Sequence, residues 1–529
     1  MLTFSLMGLF LFSSSVLADE AAPLPPHMGE LASSSEIDDE SLRRIVTAAQ
    51  ADHQSWNMLA ELCDDIGARL AGSESLVRAV DWSIKQLEAV GSDKTWTEDV
   101  MVPFWERGEE QAFMLSPRSY EMSILGLGGT VAGEVEGDVV VLDSLDAVGP
   151  EVAGKIVLFD TPMGGSVPTV AEYGAAVKTR LFGPSRAAEH GAIAAMVRSV
   201  TTRSLDTPHT GGTYYDEKFP KIPAVAVTTE DAQSMARLSA RGVNVRVSIK
   251  TSGVQHPDAP SHNVIGEITG SSKKNEIVLI GAHLDSWDVG QGAHDDGSGV
   301  VEVIQAIRII KELGLQPKRT IRVVLFTNEE NGVRGGKAYA AAHPQKRRER
   351  HVAAIESDLG GGTPRYWTAS GTDADMEWLR RAAKPLGLAV EKGGGGADIK
   401  ALGEHGVLLI GFRPDDSHYF DIHHTRADTV DKVDPDDLAK ATAAMEAVAS
   451  LEQRMGEAEE ANRLEILRVQ EEMRAQAALQ LAAERRTTAE IAAAAKSAAL
   501  NSRQGVSAGV SGDTTTIIEK GNFGSSMSM

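Results

Sequence analysis

The stretch GAHLDSWDVGQGAHDDGSGV, residues 281–300, holds two histidines and four aspartates directly after the apolar run Ile277 to Ile280. An apolar run that stops at His283 reads as a buried strand whose end opens into a polar loop. His283 and Asp285 share parity and so point the same way, one suited to binding a metal and the other to orienting it. Glycines on both sides of Asp295-Asp296 allow a tight backbone path there, and Ser298 is placed to cap a following helix. A carboxylate held at 295 could bridge two cations. Taken alone, HxD and DDG are common in solvated loops.

Three more stretches repeat the arrangement. In FTNEENG, the run Ile321 to Thr327 ends at the adjacent acids Glu329 and Glu330, which leave the strand on opposite sides, so one can ligate a metal while the other holds its water. In AAIESD, an inward-running strand finishes on Glu356 and Asp358, and a charge at a buried strand end is costly unless paired or metal-bound. HYFDIHHTRADT carries His418, His423, His424 and Asp428. Four successive strand-end loops of one sheet thus offer His, Asp, Glu, Asp and His. Two divalent ions sharing a bridging carboxylate would use such a set, and zinc suits the mixture of imidazole and carboxylate.

The elements around these loops predict an α/β fold. From 262 to 455, strands (263–268, 276–280, 321–327, 352–357, 407–412) alternate with helices (299–313, 336–342, 373–386, 435–453), the pattern of a mostly parallel central sheet flanked by helices. Residues 45–118 supply further helices to the same domain. Between them, 119–261 changes to short β-rich runs with helices near 182–190 and 229–240, an inserted domain in its own right. Residues 19–44 read as a leader or linker, and 456–529 as a helix followed by a disordered tail.

At 529 residues the chain is long enough for two or three domains. Its net charge of −23 argues against a nucleic-acid partner. The single cysteine, Cys63, excludes an intrachain disulfide and a thiolate zinc site, so a metal here is held by His and carboxylates. Residues 1–18 are apolar and end in Val16-Leu17-Ala18 before Asp19-Glu20, the form of a secretory signal cleaved after Ala18. The expected location is secreted or periplasmic, with no stable membrane span after cleavage.

HLDSWDVGQGA, PKRT, the Glu pair, AAIESD and HHTRADTV, together with RSV and PHTG in the insertion, resemble the co-catalytic di-zinc aminopeptidase superfamily over roughly residues 45–450. The resemblance implies that His283 and Asp358 bind one zinc, Glu330 and His424 the other, and that Asp295 bridges them. It makes Glu329 the general base and Asp285 the carboxylate that orients His283. His424 rather than His423 is the ligand because it lies four residues before Asp428 in an HxxxDT pattern. The resemblance further implies that 119–261 is a protease-associated-type domain helping to cover the cleft, that the substrates are dipeptides or short peptides with a free amino end, and that the protein is a homodimer. The alternatives within the superfamily are a catalytically silent receptor-like protein and a single-zinc acyltransferase. His294, before Asp295, departs from the family pattern, and GGGGAD, ending in Asp398, reads as a flexible wall of the substrate pocket.

Overall fold

The computed structural model describes residues 40–51, 53–164, 169–345, 349–451, 467–468 and 472–476. The signal and nearly all of the leader and tail expected from the sequence lie outside these residues. Contacts divide the chain into a unit ending at Gly456 and a second from Glu457. In the second unit the described residues are helical, with Arg468 paired to Glu472 one turn on.

Eight strands form the central sheet in the order Lys94–Glu106, Val254–Ile268, Arg319–Phe326, Lys273–His283, Arg350–Glu356, Leu408–Pro414, Pro364–Ser370, Ala389–Lys392. The four middle strands run parallel. Their carboxyl ends therefore all open on one side, where loops from different parts of the chain can converge. Side-chain parity explains why both faces are covered. Val278 and Ile280 pack with Val323, Leu325 and Ile355 beneath the helices Ser298–Glu312 and Pro435–Leu451. Leu279 joins Val324, Phe326 and Ala354 on the opposite face, beneath Tyr339 of the helix Arg334–Ala342.

Three of the sheet's strands carry weak sequence signals. Lys94–Glu106 is half-exposed along much of its length and contains Pro103, and Pro364–Ser370 and Ala389–Lys392 sit at the far edge. The leader expected to reach residue 44 is shorter by at least five residues, because the helix Glu40–Gln50 already buries Leu42, Ile45, Val46 and Ala49. Its apolar stripe belongs to the core of the central domain.

The first two strands of the sheet pair antiparallel from Lys94–Glu267 to Glu106–Val254, carrying the chain out to a second sheet and back. That sheet spans Glu110 to Thr251 rather than 119 to 261, since the outward and return strands are longer than their apolar runs. Its order is Tyr120–Met122, Glu110–Ser116, Arg246–Thr251, Gly133–Leu142, Ile156–Phe159, Ala194–Arg198, Ala224–Val227, Ile124–Gly126. The helices Val170–Glu189 and Thr229–Ala240 pack on it, each started by a threonine that accepts a backbone N–H of the first turn.

Charge is buried in the central sheet at Arg322, 5% exposed, whose guanidinium donates twice to Glu267 Oε1 (2.9 and 2.6 Å) and also to Tyr339 Oη and Glu349 Oε1. Arg322→Ala strands these partners, and urea denaturation should show a loss of about 3–5 kcal/mol. A loss within experimental error would mean the network adds nothing.

Candidate metal centre

Each of the four loops leaves the carboxyl end of a middle strand. His283 closes its strand, Glu329 and Glu330 follow Phe326, Asp358 follows Glu356, and His424 lies ten residues beyond Pro414. The structure brings five of the seven expected side chains into two overlapping sets. His283 Nε2 lies 3.2 Å from Asp295 Oδ1 and 3.2 Å from Asp358 Oδ1. His424 Nε2 lies 3.3 Å from Asp295 Oδ2 and 3.2 Å from Glu330 Oε2. In each set the potential ligand atoms lie within 4.8 Å of one another. Asp295 belongs to both and turns one oxygen to each.

The other two expected residues, Glu329 and Asp285, lie alongside. Burial pushes the Glu329 carboxyl well above its ordinary range; His283 opposes this, and the charges of Asp358, Glu330 and Asp285 add to it. Asp285 differs from the role implied by resemblance. Its main-chain carbonyl, not its carboxylate, faces His283 Nδ1 at 2.9 Å, while the carboxylate oxygen is 3.9 Å away. The carboxylate instead accepts the backbone N–H groups of Glu329 (3.0 Å) and Glu330 (3.4 Å), fixing the loop that carries both acids.

The donor set fits a pair of divalent cations on charge as well as geometry. Burial, followed by the charge of Asp295, lifts Glu330 to about 7, and burial also raises Asp285 and Asp296. For His283, burial opposes protonation, but hydrogen bonds to Asp295 and Asp358 outweigh it and raise the imidazole well above its usual value. The site thus concentrates buried negative charge that two imidazoles do not balance, an excess that bound cations would neutralise. Imidazole nitrogen with carboxylate oxygen, in the absence of thiolate, is chemistry that zinc accepts.

Several supporting residues escape a sequence reading. Arg69, fully buried, donates to the main-chain oxygens of Gly67, Leu284, Gln291 and Gly292 and so shapes the 284–292 loop. Asp296 accepts from the backbone of His283 and Gly299, and Asp428 accepts the N–H groups of His294 (2.8 Å) and Asp295 (3.1 Å). The backbone N–H of Trp287 donates to Glu330 Oε1 at 3.1 Å. The HxxxDT spacing points toward Asp428 and the Asp295-Asp296 pair toward Asp296; Arg69 and Trp287 depend on contacts far apart in sequence.

Other candidates lie apart from the two sets. His294 Nε2 faces Lys432 O at 3.0 Å. His418 is exposed and faces Asp421. His423 is buried with neither ring nitrogen hydrogen-bonded, stacked on Tyr419 and edge-on to Tyr173 and Phe420. Glu356 belongs to neither set and accepts the Asp398 and Ile399 N–H groups, although burial and then the nearby charge of Asp358 raise its carboxyl. Asp398, at the end of GGGGAD, is 1% exposed.

Comparison with known proteins gives the family. The profile of Peptidase family M28 matches residues 263–449, which carry all seven residues. Carboxypeptidase Q of Bos taurus is 38% identical over 427 residues, covering 79% of this chain and 87% of the bovine protein. The chain belongs to peptidase family M28. This metallopeptidase family also contains a peptidase M28 precursor from Shewanella amazonensis, whose crystal structure superposes with a TM-score of 0.75 at 36% identity, covering 80% of this chain and 97% of that one. The fold is also that of an aminopeptidase from Aneurinibacillus sp. strain AM-1, with a TM-score of 0.56 at 22% identity over 77% of this chain and 95% of that one. Both the M28 match and the likeness to carboxypeptidase Q agree with the motifs in the sequence. Among the described residues, no helix is long and apolar enough to cross a membrane.

Proposed function

We propose that the protein is an exported, two-zinc exopeptidase that hydrolyses dipeptides and short peptides with a free amino end. The observation that carries this reading is the placement of Asp295, which turns Oδ1 to His283 and Oδ2 to His424. In this reading His283 and Asp358 hold one ion, Glu330 and His424 the other, and Asp295 both. Zinc bound there would supply Lewis acidity, polarising the scissile carbonyl and acidifying water.

The chain's own groups do the rest. Glu329 takes the proton of the attacking water and delivers it to the nitrogen of the departing amine. The Asp285 carboxylate sets the direction of Glu329 by holding its N–H, and Trp287 does the same for Glu330 through the carboxylate. The second sheet, read as a protease-associated-type domain, covers the cleft and favours short substrates. Residues 1–18 act as the export signal, and the mature protein works outside the cytoplasm as a homodimer.

The reading is tested with zinc-loaded protein on a panel of dipeptides and their N-acetylated counterparts. Cleavage confined to the free-amino members, and lost on chelation, is the expected result. Equal cleavage of acetylated peptides would contradict the exopeptidase reading.

A further inference from the structure

We propose that Thr210, in the second sheet's segment, is a positioning residue for His424, so that docking of that segment completes one of the two metal sites. The inference rests on the two-ion reading above. His424 has a left-handed backbone, φ 60°, which a residue with a Cβ adopts at a cost and keeps only when its surroundings hold it. Thr210 is what holds it. The Thr210 N–H donates to His424 O at 3.0 Å, and Thr210 O lies 3.2 Å from His424 Nδ1.

The second of these contacts bears on the metal. Nε2 of His424 faces Asp295 and Glu330, and it can ligate a cation only when the ring proton sits on Nδ1. An Nδ1–H needs an acceptor. Its two polar neighbours are Thr210 O and Arg180 Nη1, the latter at 3.3 Å, and a guanidinium only donates. Thr210 O is therefore the group that stabilises the ligating tautomer. Arg180, 5% exposed, keeps that carbonyl in place by donating to it at 3.2 Å.

The same loop is riveted to the other ligand of this set. Thr210, fully buried, donates its hydroxyl to Gly126 O at 2.7 Å and accepts from Arg107 Nη2 at 3.4 Å. Arg107 also makes a two-pronged pair with Asp288. Asp288 follows Trp287, whose N–H holds Glu330. One arginine thus ties the loop behind His424 to the loop behind Glu330.

The test is stepwise zinc titration of the full-length protein against a competing chelator. It compares wild type with Thr210→Val, which keeps the size but removes the hydroxyl anchor, Thr210→Ser, which restores it, and Arg107→Gln, which cuts the rivet. The expected result is that one of two zinc ions binds more weakly in Thr210→Val and Arg107→Gln, which loosen the Thr210 carbonyl without deleting it, by up to the ~10–100-fold that follows outright loss of an outer partner of a metal ligand. The other ion keeps its affinity and Thr210→Ser returns to wild type. Arg107→Gln, at the far end of the rivet, carries the test if Thr210→Val does not fold. Wild-type affinity for both ions in the folded variants, or equal weakening of both, overturns the role of Thr210 and leaves the two-ion reading standing. A wild type that binds fewer than two ions overturns both.

Discussion

Glu329→Gln is expected to lower kcat on dipeptides by ~10²–10⁴-fold, the range for loss of a general base, while the protein keeps its full complement of zinc. Glutamine keeps the shape and most of the hydrogen bonding of the side chain but cannot take up the proton. Glu329 belongs to neither ligand set, and the loop that carries it is held through its own N–H and that of Glu330 by Asp285, so the substitution leaves both sets intact. Steady-state kinetics paired with elemental analysis checks it. Loss of activity together with loss of zinc would make Glu329 a ligand, and unchanged kcat would remove it from the chemistry.

Asp295→Ala is expected to do the opposite, abolishing activity by emptying the site. Asp295 is the one side chain shared by the two sets, so its loss removes a ligand from each. Its backbone N–H stays anchored on Asp428, which favours a local effect over loss of the fold. The sensitive readout is stabilisation by zinc. A ligand present at 1,000 times its Kd stabilises the folded state by about 4.1 kcal/mol. The wild type should show a zinc-dependent rise in thermal midpoint, and the variant little or none. Retention of one tight ion by Asp295→Ala would mean that the carboxylate does not bridge.

The parts of this arrangement legible in the sequence were those in which local pattern and tertiary environment coincide. A strand buried on both faces must be apolar, so Ile277 to Ile280 and Ile321 to Thr327 announce themselves, and acids or histidines at their ends stand out. The same rule hides the antiparallel strand Lys94–Glu106, whose exposure leaves no clear period. Periodicity also fails at once beyond a strand end, which is why Glu356 and Asp358 share parity but not hydrogen-bond partners. The role of Asp285 was illegible for a different reason: the atom facing His283 is a main-chain oxygen, which every residue has. Arg69 and Thr210 act on residues 215 and 214 positions away, across folds of the chain that no short motif encodes.

The physical theme of the site is negative charge gathered before its counterion. Burial and mutual repulsion hold several carboxyls above their ordinary range, a cost that the fold sustains through Arg69, Asp285, Asp428 and Thr210, each fixing backbone rather than touching the reacting atoms. On the proposed reading, such preorganisation lets zinc and substrate meet groups already in place.

On the proposed reading, this site holds two ions and uses them on free-amino peptides. The most direct measurement is the number of zinc ions per chain in the purified protein, titrated back from the chelated form while dipeptide hydrolysis is followed. Hydrolysis should be absent in the chelated form, and uptake should saturate at two ions as activity reaches its plateau. Full activity at one ion, or two bound ions with no cleavage of any free-amino dipeptide, would contradict it.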